Sequence, residues 1–227
     1  MNIYFLVEGK KELKIYLGWL SQIVPKLKQV QSDKDVKQNN YFIFNGGGLP
    51  SIFKQISPSI SKINKINNYN YFVICVDAEN ATIEQRISKI NVEISKGEQL
   101  SEKTKLITIV QNRCIETWFL GNRNVYTEKP INHQTFIEYS KFYNVAQNDP
   151  ELMTKPDNSD YSIANFHKRY LKAMLHERMN KEDSQFHEEK YLNELKKRVI
   201  NTPTHLQTFT NFLNFCSQIR TELSPAN

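Results

Sequence analysis

The chain has 227 residues, 39% of them hydrophobic and 24% charged, enough for one α/β domain with a helical extension or for two small domains. That composition excludes a disordered chain, and no run approaches the ~20 apolar residues of a membrane span. The net charge of +6, carried by 23 lysines and 7 arginines, admits a polyanionic partner, although the same lysine, asparagine and isoleucine bias is what an AT-rich genome writes.

The first stretch sets the pattern. Ile3 to Val7 is an unbroken apolar run that stops at Glu8-Gly9, after which Leu13, Tyr16, Leu17 and Leu20 recur at helical spacing. This predicts a buried strand, a glycine turn and an amphipathic helix. The chain opens directly into that strand, so no signal peptide is expected. Lys26–Asn40 is polar and reads as a surface loop. Tyr41–Phe44 is a second strand, followed by Gly46-Gly47-Gly48 and a helix through Leu49, Ile52, Phe53 and Ile56, with Pro50 near its start. The three glycines read either as a plain tight turn or as a place where backbone amides approach a phosphate. No Gly-Lys-Ser/Thr follows, so this is not a Walker loop.

A helix through Ile60, Ile63 and Ile66 leads to the most strand-like run, Tyr71–Val76, which ends at Asp77-Ala78-Glu79. From Thr82, a helix through Ile83, Ile87, Ile90 and Ile94 returns to a fourth strand, Leu106–Val110. After it comes Gln111-Asn112-Arg113-Cys114-Ile115-Glu116-Thr117-Trp118-Phe119. Strand and helix alternate throughout, which predicts a parallel sheet flanked by helices. Three strand ends then carry Glu8, Asp77, Glu79 and Glu116 to one sheet edge. Carboxylates so crowded repel one another unless a cation neutralises them, and oxygen ligands of this kind suit Mg²⁺ or Mn²⁺. Each also has a plainer reading. Glu8 and Glu79 can be solvated turn residues, Asp77 a turn or cap, and Glu116 a capping-box residue at a helix start. Glu12, Glu84 and Glu93 fall on helix faces and read as solvated charges.

Val-Glu-Gly-Lys, then Val-Asp-Ala-Glu, then Ile-Glu-Thr-Trp-Phe, in that order, resemble a Toprim domain over roughly residues 1–125. The nearest varieties are the OLD-like, RloB-like and AriB-like proteins of bacterial phage defence. Glu79 departs from the pattern, which has a second Asp there. The resemblance implies a Toprim-like, Rossmann-like fold and a metal-dependent nuclease acting on DNA or RNA, tRNA included. By the same resemblance Glu8 is a metal ligand or general acid/base, Asp77 and Glu79 hold a metal, and Glu116 supports a second. Lys10, Lys11 or Arg113 would meet the transition-state charge. The implied partners are nucleic acid, an ATPase subunit encoded beside the chain, and further copies of the chain. The alternative is a non-catalytic Toprim-fold module that binds nucleic acid or the ATPase.

Residues 126–227 are expected to form a mainly α-helical extension that selects substrate or partner. Asn122–Asn132 reads as a connector, Phe136, Ile137 and Phe142 as a helix, and Asn148–Asp160 as a loop. Amphipathic helices follow through Phe166–Leu175 and Tyr191–Val199. A last helix is expected to start at Thr202 as N-cap with Pro203 in its first turn. The five histidines form no zinc spacing and read as structural. The basic-aromatic stretch His167-Lys168-Arg169-Tyr170, with Lys172, His176 and Arg178, reads either as core plus wet face or as a nucleic-acid groove. Cys75, Cys114 and Cys216 are odd in number and far apart, which points to a reducing cytoplasm and away from disulfides or a zinc site.

Overall fold

A computed structural model describes residues 1–126, 133–179 and 185–224. Residues 127–132 of the expected connector lie outside the described residues. The four apolar runs are strands, and a two-residue strand joins them: β1 (Asn2–Val7), β2 (Lys28–Gln29), β3 (Asn40–Asn45), β4 (Tyr71–Asp77) and β5 (Lys105–Gln111). They form one parallel sheet in the order β2-β3-β1-β4-β5. The segment expected to be loop holds β2. Both its residues are exposed, so no apolar pattern marks it.

Two units make up the chain: residues 1–76, 83–110 and 212–227, and residues 77–82 and 111–211. In the first, all six residues of the central strand β1 are buried. Side chains alternate along a strand, so Phe5 and Tyr4 point to opposite faces. Phe5 meets Tyr41 and Phe215, and Phe215 also meets Tyr71. Tyr4 meets Phe42, Tyr69 and Phe72, and its hydroxyl lies 3.4 Å from the Ser59 hydroxyl. Helices therefore cover both faces. On the Phe5 side lie α1 (Lys10–Ile23) and the second half of the final helix, where Phe212 packs on Tyr16 and Trp19. The helix expected after the glycines is short, α2 (Ser51–Lys54), and Ile56 instead opens α3 (Ile56–Ile66), the helix expected through Ile60, Ile63 and Ile66, which supplies Ser59 to the Tyr4 side. Arg86 and Lys89 of α4 (Ile83–Ser95) lie over the Phe53 ring. Burying a large apolar side chain contributes roughly 1.5–3 kcal/mol, so the fully buried Phe5, Phe72 and Trp19 anchor this unit.

The second unit holds α5 (Ile115–Leu120), α6 (Gln134–Phe142), α7 (Ile163–Met179), α8 (Glu189–Asn201) and the first turn of α9 (Gln207–Glu222). Thr208 organises its core. The Trp118 indole N–H donates to the Thr208 hydroxyl at 2.7 Å, and that hydroxyl donates to the buried Glu151 carboxylate. Arg198 is buried and donates to the carbonyls of Ala146 and Asn148 and to His205 Nδ1. Thr202 does not open the last helix. It is the C-cap of α8, and the chain turns through a left-handed Leu206 (φ 53°) before α9 begins at Gln207. No helix among the described residues is long and apolar enough to cross a membrane.

Candidate metal centre

β1 and β4 are parallel neighbours, with Val7 opposite Cys75. Glu8 and Asp77 therefore leave the sheet at the same edge, outside the carboxyl ends of the strands. From β1 the chain runs outward to β2 and β3 on one side, while β4 and β5 lie on the other. The gap between β1 and β4 is thus the switch point at which open α/β sheets hold ligands.

The glycine loop after β3 fixes the backbone at Glu8. The Gly46 N–H donates to the Val7 carbonyl at 2.8 Å, and the Gly48 N–H donates to the Glu8 carbonyl at 2.7 Å. The Gly47 N–H donates to the Asn45 side chain at 2.9 Å. The amides that the sequence offered to a phosphate are therefore engaged within the protein. Gly47 and Gly48 have φ of 83° and 82°, a region that costs other residues strain.

Glu79 sits on the loop after β4 with φ of 54°, and Arg113 on the loop after β5 with φ of 75°. These two left-handed residues hold each other. The Glu79 N–H donates to the Arg113 carbonyl at 2.7 Å, and the Arg113 guanidinium donates to the carbonyls of Glu79 (3.4 Å) and Ala81 (3.1 Å). Non-glycine residues in this region concentrate at functional sites, where surrounding contacts impose the strain. The Arg113 guanidinium, a candidate for meeting substrate charge, instead braces the loop that presents Glu79.

One carboxylate oxygen each from Glu8, Asp77 and Glu79 lies within 4.8 Å of the others. Asp77 is 3% exposed, and Glu8 and Glu79 are half-buried. Glu116, 5% exposed on the first turn of α5, is not one of this trio, although its charge and that of Asp77 both reach Cys114. Burial, then the negative charge of Glu116 and Asp77, pushes the Cys114 thiol well above its ordinary range, so Cys114 is a neutral neighbour and not a nucleophile.

The sequence does not assign the cation that meets this group. Lys168 of α7 places its Nζ 2.8 Å from Glu79 Oε1. Burial opposes its charge, but the Glu79 hydrogen bond and the negative charge of Glu116 and Glu79 outweigh burial, and Lys168 titrates above the ordinary lysine range. Its neighbour His167 is wholly buried. The His167 Nε2–H donates to the Met153 carbonyl at 3.0 Å, and Nδ1 accepts from the Thr117 hydroxyl at 2.8 Å. Burial drives the His167 pKa down to about 4, so it stays neutral and ties α7 to the residue after Glu116. Lys10 and Lys11, also candidates, are exposed on the first turn of α1. Glu12, expected to be solvated, is 9% exposed. A Cβ on Gly9 would lie 2.8 Å from Glu12 Oε2, so the bare glycine is what lets this carboxylate fold back over the helix start.

The donor set fits a hard divalent cation. Ligand oxygens at about 2.1 Å in an octahedron lie about 3.0 Å apart when adjacent and about 4.2 Å when opposite, so a 4.8 Å trio closes around an ion with small side-chain shifts. Three carboxylates with no thiol or imidazole among them suit Mg²⁺ or Mn²⁺ better than Zn²⁺. Among the described residues no other cluster of this kind occurs. Comparisons of the chain with protein-family models, with curated proteins and with solved structures find no match.

Proposed function

We propose that the chain is a metal-dependent nuclease of Toprim type, hydrolysing phosphodiester bonds in DNA or RNA. The observation that carries this reading is the convergence of Glu8, Asp77 and Glu79 at the switch point of a parallel sheet, with an ammonium already in contact. Asp77 and Glu79 would hold a Mg²⁺ or Mn²⁺ ion, with Glu8 as a further ligand or as the base. Glu116 would support a second ion. Such ions supply positive charge that orients a phosphodiester and makes a water more acidic.

The remaining work belongs to the protein. Glu8, half-buried at the end of β1, takes the proton of the attacking water as its oxygen bonds to phosphorus. The P–O bond on the opposite side breaks, and the departing oxygen takes a proton from solvent. Lys168, rather than Lys10 or Lys11, provides fixed positive charge beside the equatorial oxygens, where charge builds in the transition state.

The motif order adds a biological setting to the reading: an effector of anti-phage defence in the cytoplasm, cutting phage or host nucleic acid, tRNA included, under control of an ATPase partner or as an oligomer. A second reading, a non-catalytic module, draws support from one contact. Glu79 is already neutralised by Lys168, as it would be where a carboxylate has lost its ion. Cleavage of labelled plasmid, single-stranded DNA and total tRNA with Mg²⁺ or Mn²⁺ separates the two. The nuclease yields product that depends on the ion, on Glu8 and on Asp77. The module yields none.

A further inference from the structure

α7 carries a second basic face that the acidic centre does not use. The helix divides the stretch His167-Lys168-Arg169-Tyr170 three ways. His167 and Tyr170 enter the core, the Tyr170 hydroxyl donating to the Tyr143 carbonyl at 2.6 Å, and Lys168 goes to Glu79. Arg169, Lys172 and His176 remain, spaced three and four residues apart, and such residues share one side of a helix.

These three residues line a cavity of about 170 Å³ with His133, Thr135 and Tyr139 from the start of α6. His133 Nδ1 accepts the Phe136 N–H at 3.2 Å, which leaves Nε2 to carry the proton of the neutral ring as a donor. The His133 and His176 rings lie edge to face, 4.8 Å apart. The Arg169 guanidinium lies 3.9 Å from the Tyr161 ring centroid, and stacking of this kind holds its plane in place. Among the described residues lining the cavity there is no carboxylate. The nearest acid along α6, Glu138, is exposed and accepts from Gln134 at 2.9 Å. Among the described residues, one small space therefore gathers a guanidinium, an ammonium, two imidazoles and two hydroxyls, with no anion among them.

We propose that this cavity is a phosphate-binding site that takes a backbone phosphate of a polynucleotide away from the acidic centre. Its volume is below the roughly 300–1,000 Å³ of pockets that enclose drug-sized molecules, so it holds a phosphate group and leaves sugar and base outside. The fork of Arg169 and the point charge of Lys172 are the two side chains best suited to phosphate oxygens. The exposure of Lys172 and His176 leaves the site open on the side from which a strand arrives. The nuclease reading suggests the polynucleotide as the source of the phosphate. Phosphate recognition itself is independent of that reading.

The test uses the full chain without metal, so that cleavage does not enter. Inorganic phosphate, and separately a 12-nucleotide single strand of DNA or RNA, are titrated in while the imidazole resonances of His133 and His176 and the fluorescence anisotropy of the strand are followed. Arg169→Gln and Lys172→Gln are compared with Lys141→Gln, which removes the same charge from the far end of α6. The site predicts that both ligands move both imidazoles. It also predicts that Arg169→Gln and Lys172→Gln weaken strand binding about tenfold and reduce its salt dependence by about one phosphate contact, while Lys141→Gln does neither. Lys172 is exposed, so its variant remains informative if Arg169→Gln fails to fold. Imidazoles that stay still with both ligands overturn the site. Imidazoles that move with phosphate alone, with strand affinity equal in all three variants, overturn the polynucleotide as its ligand. A chain that binds strands here yet never cleaves them with metal refutes the nuclease reading and leaves this site standing.

Discussion

Lys168 Nζ lies 2.8 Å from Glu79 Oε1, so the ammonium sits in the first position a divalent ion at this carboxylate would compete for. Replacing it separates two effects. Lys168→Met removes the competitor, and Mn²⁺ measured by calorimetry binds several-fold more tightly. The same change removes transition-state charge, and the cleavage rate falls by about 10²–10³. The pair is partly exposed, so the melting temperature changes little. Weaker Mn²⁺ binding in the variant would show that Lys168 supports the ion instead of competing with it.

Gly48 ties the glycine loop to Glu8 through a backbone contact alone. A Cβ at Gly48 has no neighbour within 4 Å, so Gly48→Ala tests the left-handed backbone without a clash. The expected loss is about 1–2 kcal/mol in urea unfolding. Mn²⁺ affinity is expected to fall as well, because the Glu8 carbonyl is held by the Gly48 N–H. An unchanged affinity in a destabilised variant would separate the loop from the centre.

Glu151 gives the fold a pH dependence. Burial raises its pKa from 4.5 to about 7, against the hydrogen bonds from Thr208 that lower it. A carboxyl whose folded pKa lies above its unfolded value contributes stability that is complete below the unfolded pKa and is lost as pH rises through the folded one. The span from 4.5 to about 7 corresponds to roughly 3 kcal/mol. Wild type is therefore expected to lose stability between pH 4.5 and about pH 7 relative to Glu151→Gln, in which this slope vanishes. Parallel pH profiles of the two proteins in urea would contradict the assignment.

Strand ends were the legible part of the sequence, because an apolar run that stops at a charge marks both the sheet and its edge. Glu8 and Asp77 follow such runs directly, and the parallel register then brings their strand ends together. Lys168 was not legible as a partner of Glu79. Between Phe166 and Tyr170 it reads as any wet-face lysine, and only the packing of α7 turns it toward the loop after β4. Glu12 was misread for a related reason, since a helix-face pattern does not register the space left by a missing Cβ at Gly9. At Thr202-Pro203 the start signal is genuine as a pattern, but α8 runs to Asn201 and uses Thr202 to stop. The cavity of His133, Arg169 and Lys172 joins two helices about 36 residues apart in sequence, a distance at which no spacing rule applies.

On the proposed reading, Glu8 and Asp77 belong to one metal centre for phosphodiester hydrolysis. The most direct measurement follows end-labelled plasmid, single-stranded DNA and total tRNA over time with Mg²⁺ or Mn²⁺, using wild type, Glu8→Ala and Asp77→Ala, with EDTA as control. Wild type with metal is expected to give product from at least one substrate, and both variants to lose about 10²–10³ or more of the rate. Product that persists in both variants, or in EDTA, would contradict that reading.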